Sequence, residues 1–345
     1  MGLTDGRGVT SMGASRTRSY VGVVGNRRTG GPRGPRGWRG AVLCGACLVG
    51  LAGAAAEPPP ALVPASPRRA YFAEEEVTFR FGAGAGLPAG LTRVTAELFY
   101  AERTLRRQEL PLALPVEFTW RLPSAKPGAV LDLELVVTAS GAGGARARYA
   151  QPLSLYGRPQ TAARQAALAA VKVTVYAPGD ERLAAALRQA GIPFTRVDRL
   201  RDLDSRWLLA SHLDFAAQPG LSNELLALAG QGTSVLVLPP FTGVVPLPRP
   251  PLTAMAFAGP ARLRELDPRA DLAAWSPAGP LSVAGAALHP LGEGVGLQLA
   301  ADGPWPWVSL QVGAGQVIFC GFDWVTHAAG HPTPVALLLT LLLAG

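Results

Sequence analysis

Val171–Asp198 reads VKVTVYAPGDERLAAALRQAGIPFTRVD. Val171–Ala177 is a continuous β-rich run that stops at Pro178 and Gly179. The helical stretch ERLAAALRQAG follows, with Leu183, Leu187 and Ala190 on one face. Asp180 stands where an N-cap belongs, and Gly191 where such a helix ends. Ile192–Asp198 then reads as a second strand. Further on, Trp207–Ser211 reads as a third, Ser222 as the cap of the helix NELLALAGQG, and Ser234–Pro240 as a fourth. Strand, helix, strand, strand, helix, strand predicts parallel strands joined by crossovers, and so a three-layer α/β domain over residues 171–345.

The end of that domain is written differently. Trp307–Val312 and Gln316–Phe322 alternate around Gly313-Ala314-Gly315, the pattern of a hairpin. Thr333 and Pro334 then open PVALLLTLLLA, a closing buried helix too short to cross a membrane.

Upstream, residues 69–156 alternate apolar and polar residues with Gly- or Pro-bearing turns between. Val77–Phe81, Arg93–Ala101, Val116–Leu122, Val130–Val137 and Ala147–Tyr156 each read as a strand with one buried face. About seven such strands in roughly 90 residues fit an all-β, immunoglobulin-like sandwich. Residues 157–170 read as a linker with a short helix, and residues 57–68, rich in Pro and Ala, as a tether.

Residues 1–56 have the layout of a leader. Basic RGPRGWRG precedes the apolar run Ala41–Ala56, which ends in three alanines before Glu57-Pro58-Pro59-Pro60. That is a secretory signal cleaved after Ala56, which predicts an exported chain, periplasmic or extracellular. A lipid anchor at Cys47 is the second choice, because Cys44 occupies the position where such a motif wants Leu. Of the formal net charge of +8, seven units lie in residues 1–56, where eight arginines face the single acid Asp5. The remainder is nearly neutral, which disfavours nucleic acid as a partner. No apolar run of 18 residues occurs, so no integral membrane domain is expected in the mature chain.

Val171–Gly345 resembles the class I glutamine amidotransferase-like (flavodoxin-like) superfamily, in its divergent extracytoplasmic branch. The likeness is carried by the opening stretch, by LLALAGQGTSVLVLPP, and by GAGQVIFCGFDW with HPTPVALLLTLLLA. It implies an association with polysaccharide metabolism beside a β-sandwich. The family's activity uses a Cys on a sharp turn after a strand, activated by a His. The matching strand ends here read WLLASHLDF and VLVLPPFTG, without Cys. The resemblance therefore implies a member without the nucleophile.

After the signal only Cys320 remains, with Asp323 and His327 close behind it. These three are the weak catalytic candidates, against the plainer reading of a buried Cys on a core strand. His212 and Asp214 follow the third strand, at the edge where open α/β sheets bind ligands, and are weak binding candidates. Trp275, Trp305, Trp307, Phe322 and Trp324 crowd the last third. Trp305, Trp307 and Trp324 would suit stacking on sugars if exposed, or fill the core between hairpin and sheet if not. Neither H-E-x-x-H nor a Cys/His ligand spacing occurs, and GAGAGLPAG (Gly82–Gly90) lacks the helix a dinucleotide loop needs, so no metal and no cofactor is expected. The sequence thus predicts an immunoglobulin-like sandwich followed by a three-layer α/β amidotransferase-like domain. Its expected function is that of an exported, non-catalytic scaffold or binding module with a carbohydrate or another envelope protein as partner. A hydrolase of unlocated mechanism and an envelope lipoprotein assembly component are the alternatives.

Overall fold

The computed structural model describes residues 59–344, except 159–160, 202, 248–251, 273–283 and 301. The leader with its apolar run 41–56, Cys44, Cys47 and Trp275 lie outside the described residues. In the first half, alternation becomes burial directly. The early strands are β1 (Leu62–Pro64), β2 (Ala70–Phe72), β3 (Glu76–Ala83) and β4 (Leu91–Tyr100). They are followed by β5 (Arg103–Pro111), β6 (Val116–Arg121), β7 (Val130–Gly141) and β8 (Arg146–Tyr156). Val77, Phe79 and Phe81 of β3 pair in antiparallel register with Trp120, Phe118 and Val116 of β6, all six side chains inward. A sheet ordered β1-β3-β6 therefore faces a second one ordered β2-β8-β7-β4-β5. The rings of Phe79 and Phe118 stack at 5.4 Å between centroids, and Phe81 meets Tyr149 of the opposite sheet at 5.3 Å.

Two stretches of this half escape a reading by alternation. Leu62, within the expected tether, is buried in the core, and β1 pairs with β3. β5 reads RTLRRQELP and is exposed along most of its length, an edge strand whose arginines discourage further pairing.

The second half begins with α1 (Ala162–Val171), β9 (Val173–Tyr176), α2 (Arg182–Gln189) and β10 (Thr195–Arg196). β11 (Trp207–Asp214), α3 (Leu221–Gly230) and β12 (Ser234–Pro246) come next. β10, β9, β11 and β12 lie side by side and parallel, as the sequence suggests. The departure begins within β12, which continues through Pro239 and Pro240 for 13 residues. Gly243 lets it turn: its φ is +97°, and a Cβ there would come within 2.9 Å of the Ala216 nitrogen. From Gly243 onward β12 pairs antiparallel with β15.

The elements that follow are β13 (Leu252–Ala258), α4 (Arg262–Leu266), β14 (Gly285–Leu291) and β15 (Gly294–Ala300). The hairpin of β16 (Trp307–Val312) and β17 (Gly315–Cys320) precedes α5 (Trp324–His327) and α6 (Pro332–Ala344). β17 is parallel to β12, whereas β16 and β13 are antiparallel additions at the far edge.

The expected fold class is therefore corrected. Strands hold 46% and helices 20% of the described residues, the sheets are mixed, and no three-layer α/β amidotransferase-like domain is formed. Strand-helix alternation stops at β12, because the Gly-bearing stretches beyond it form hairpins instead of crossovers. Ser222 is also not a cap: it is buried inside α3, whose N-cap is Gly220 at φ +95°.

α6 is apolar all round, and Leu337, Leu338, Leu339, Leu341 and Leu342 are buried. Among the described residues no helix is long and apolar enough to cross a membrane. The two halves are tied where α6 and the loop after α4 meet the first strands. Asp271 accepts the backbone N–H groups of Arg69 and Ala70, Arg269 pairs with Asp132 at 3.2 Å, and Arg68 donates to the Gly330 carbonyl at 3.0 Å.

Candidate functional site

The chain leaves β9 toward β10 on one side and then returns past it to β11 on the other. The strand ends at this reversal of order are the usual ligand edge of an open parallel sheet. Asp180, just beyond β9, and His212, in β11, meet there. The register of β11 against β12 shifts between Ser211 and Leu213, so His212 sits on a bulge with φ +58°, and the bulge re-aims its ring. Its Nδ1 lies 2.9 Å from Asp180 Oδ2, and its Nε2 lies 2.6 Å from Arg182 Nη2. A guanidinium can only donate, so Nε2 accepts and the ring proton is on Nδ1. Arg182 also returns its Nε and its backbone N–H to Asp180 Oδ1. Burial would raise the Asp180 pKa, but the Arg182 hydrogen bonds and the Arg182 charge outweigh it and hold the carboxyl below its ordinary value.

Asp214, the partner expected for His212, is elsewhere: its Oδ1 accepts the N–H groups of Ala216 and Ala217 in the following turn. Ser211 is fully buried, with Oγ 3.4 Å from the same Nδ1 that faces Asp180. Asp180 Oδ2 is buried without a hydrogen-bond partner, and the cluster lines none of the clefts described below.

Cys320, Asp323 and His327 do not converge either. Cys320 ends β17 opposite Trp307 and has no exposed surface. Burial pushes its thiol up to about 12, against smaller opposing contributions from hydrogen bonds of the Phe322 backbone and the Trp324 side chain. Asp323 is the N-cap of α5, accepting the Thr326 N–H at 3.1 Å. His327 is lowered in pKa mainly by burial. Among the described residues no bond joins Cys320 to His327 or Asp323, and no group of three or more His, Cys, Asp or Glu is placed to hold a metal. Trp307 and Trp324 are buried in the core, and only Trp305 is exposed, tilted against Phe257 at 5.6 Å.

A cleft of about 430 Å³ lies at the junction of the two halves. Its wall on the α6 side is apolar, with Val335, Ala336 and Leu339, and Leu266 and Pro268 continue it. Phe72, Tyr156 and Arg158 line the side of the first half. Between Tyr156 and Arg158, Gly157 passes close to the Lys126 carbonyl, where a Cβ would stand 2.1 Å away. Arg158 then lies over the Phe72 ring, 3.1 Å from its centroid, and donates to the Ala329 carbonyl at 3.1 Å. The Tyr156 hydroxyl is buried without a hydrogen-bond partner, and burial raises its pKa. A depression of about 520 Å³ on the outer face of the five-stranded sheet is a weaker candidate, since its charges pair among themselves, Arg148 with Glu134 for example at 3.7 Å. None of the cleft residues was singled out from the sequence. Arg158 fell in an expected linker, and only the packing of the two halves gives it a setting.

No family model matches the chain, and no curated protein matches it. Solved structures give partial likenesses only. An engineered protein of a structural genomics programme is 17% identical over 29% of this chain and 20% of its own, at a TM-score of 0.21. Spo0M, a sporulation control protein from Bacillus subtilis, is 16% identical over 32% of this chain and 54% of its own, at 0.20. A 2,6-sialyltransferase from Photobacterium is 8% identical over 50% of this chain and 34% of its own, at 0.17. The chain thus spans from a fifth to about half of the length of these structures. Likenesses of this size carry nothing about fold or activity.

Proposed function

We propose that the chain is an exported, non-catalytic module that binds a small ligand in the cleft between its two halves. The observation that carries this reading is the contrast between its reactive groups and its cavity. The Cys320 thiol is enclosed, Asp323 is spent on a cap, and both ring nitrogens of His212 are engaged. The cleft combines apolar walls with a few polar groups, the usual make-up of a small-molecule site, and lies where two halves meet. Export rests on the leader's order of basic, apolar and small residues. A carbohydrate partner rests on the family resemblance alone, because two of the three rings that would suit stacking on sugars if exposed are in the core.

A hydrolytic reading would draw on Ser211 beside His212. Ser211 and Asp180 both lie at Nδ1, and Arg182 occupies Nε2, so no ring nitrogen is open to take the serine proton. Purified chain assayed against ester, amide and glycoside substrates should show no turnover above the uncatalysed background. Turnover that is lost in Cys320→Ala or His212→Ala would overturn the reading.

A further inference from the structure

We infer that the cleft takes an amphipathic monocarboxylate, a ligand with an apolar body and one carboxylate head, and that Arg158 receives the head; this rests on the binding reading above. The apolar body follows from α6, which presents Val335, Ala336 and Leu339 to the cleft as a contiguous side-chain surface. The charge follows from a census of the cations lining it. Arg269 is held by Asp132, and its backbone N–H by Asp267 Oδ1. Arg164 has a partner of its own. Arg158 has a ring face and one backbone carbonyl, but among the described residues no carboxylate pairs with it, since nearby Glu75 is taken by Arg68 at 2.8 Å. The protein around Arg158 removes enough water to lower its pKa, with Glu75 opposing.

Stacking on Phe72 fixes the plane of the guanidinium, so its remaining N–H donors keep one orientation and can fork onto a carboxylate. The Arg158 donors suit one carboxylate, and a second negative charge beside the apolar wall would be costly to desolvate. Tyr156, on the same side of the cleft as Arg158, has a buried hydroxyl that is still without an acceptor.

The test is calorimetric titration of the full chain with octanoate, octyl phosphate and octanol at one pH and salt concentration. Octanoate should bind about tenfold or more tightly than octanol, the factor expected when a charge-assisted hydrogen bond is lost. Arg158→Gln should remove that preference while octanol affinity stays the same. Ala336→Phe, which fills the cleft, should abolish binding of all three, and it decides the matter if the Arg158 variant does not fold. Equal affinity for octanoate and octanol, tighter binding of octyl phosphate, or octanoate binding that survives both variants would overturn the inference. Absence of octanoate binding overturns it as well. Turnover by the unmodified chain would sink the non-catalytic reading while leaving these affinities in place, so the two failures are distinguishable.

Discussion

Asp271→Ala tests what holds the two halves together. Asp271 is only 4% exposed, and its Oδ2 accepts both the Arg69 and the Ala70 N–H groups across the junction, at 2.5 Å and 3.2 Å. His331 Nε2 stands 3.6 Å away, too far for a hydrogen bond. Alanine would orphan one buried and one part-buried backbone donor, at about 1–3 kcal/mol for each such group, and would remove the His331 contact. A loss of about 2–6 kcal/mol follows, which for a chain of this size lowers the melting temperature by roughly 5–20 °C. Asp271→Asn keeps one oxygen for the two donors and should lose about half as much. The pH dependence has a definite sign. Burial would raise the Asp271 pKa, but His331 and the two N–H groups overcome it and hold the folded carboxyl below its ordinary value. Its contribution is complete above that value and disappears as pH falls through the folded pKa. Calorimetric melts of wild type and both variants between pH 7 and pH 2.5 read all of this. A melting temperature for Asp271→Ala within about 1 °C of wild type at pH 7 would refute the reasoning.

Leu62→Ala removes a core side chain contributed by a segment that reads as a tether, and should cost about 2–5 kcal/mol in urea unfolding; a cost near zero would show that β1 does not hold. Gly243→Ala places a Cβ 2.9 Å from the Ala216 nitrogen and 3.1 Å from the Phe215 Cβ at a φ of +97°, and should cost at least about 2 kcal/mol in the same assay. Stability equal to wild type there would mean that β12 turns toward β15 by another route.

The sequence was most legible where burial is one-sided. β3 and β6 show their alternation plainly, because one face of each meets the core and the other meets solvent, whereas the β16–β17 hairpin is buried on both faces. β5 was invisible because, as an exposed edge, it has almost no apolar face to display. β14 and β15, read as GAALHPL and GVGLQLA, carry too many small residues to announce a strand. The error in fold class came from extending the grammar of β9 to β12 across a region whose antiparallel pairing is set by Gly243 and by long-range register. At the candidate site, His212 was found by its place at a strand end. Its partner is the residue that also supports the start of α2, Asp180, and not the nearby Asp214. Arg158 carried no signal, since its role depends on Phe72 and Ala329, one from each half.

The claim that no nucleophile is available can be measured most directly by intact-mass spectrometry of native chain treated with iodoacetamide and, separately, with a fluorophosphonate at pH 8. Both treatments should leave the mass unmodified, with Cys320 alkylated only after denaturant is added, because its buried thiol stays protonated with a pKa pushed up to about 12. Stoichiometric labelling of folded protein at Cys320 or Ser211 would contradict it.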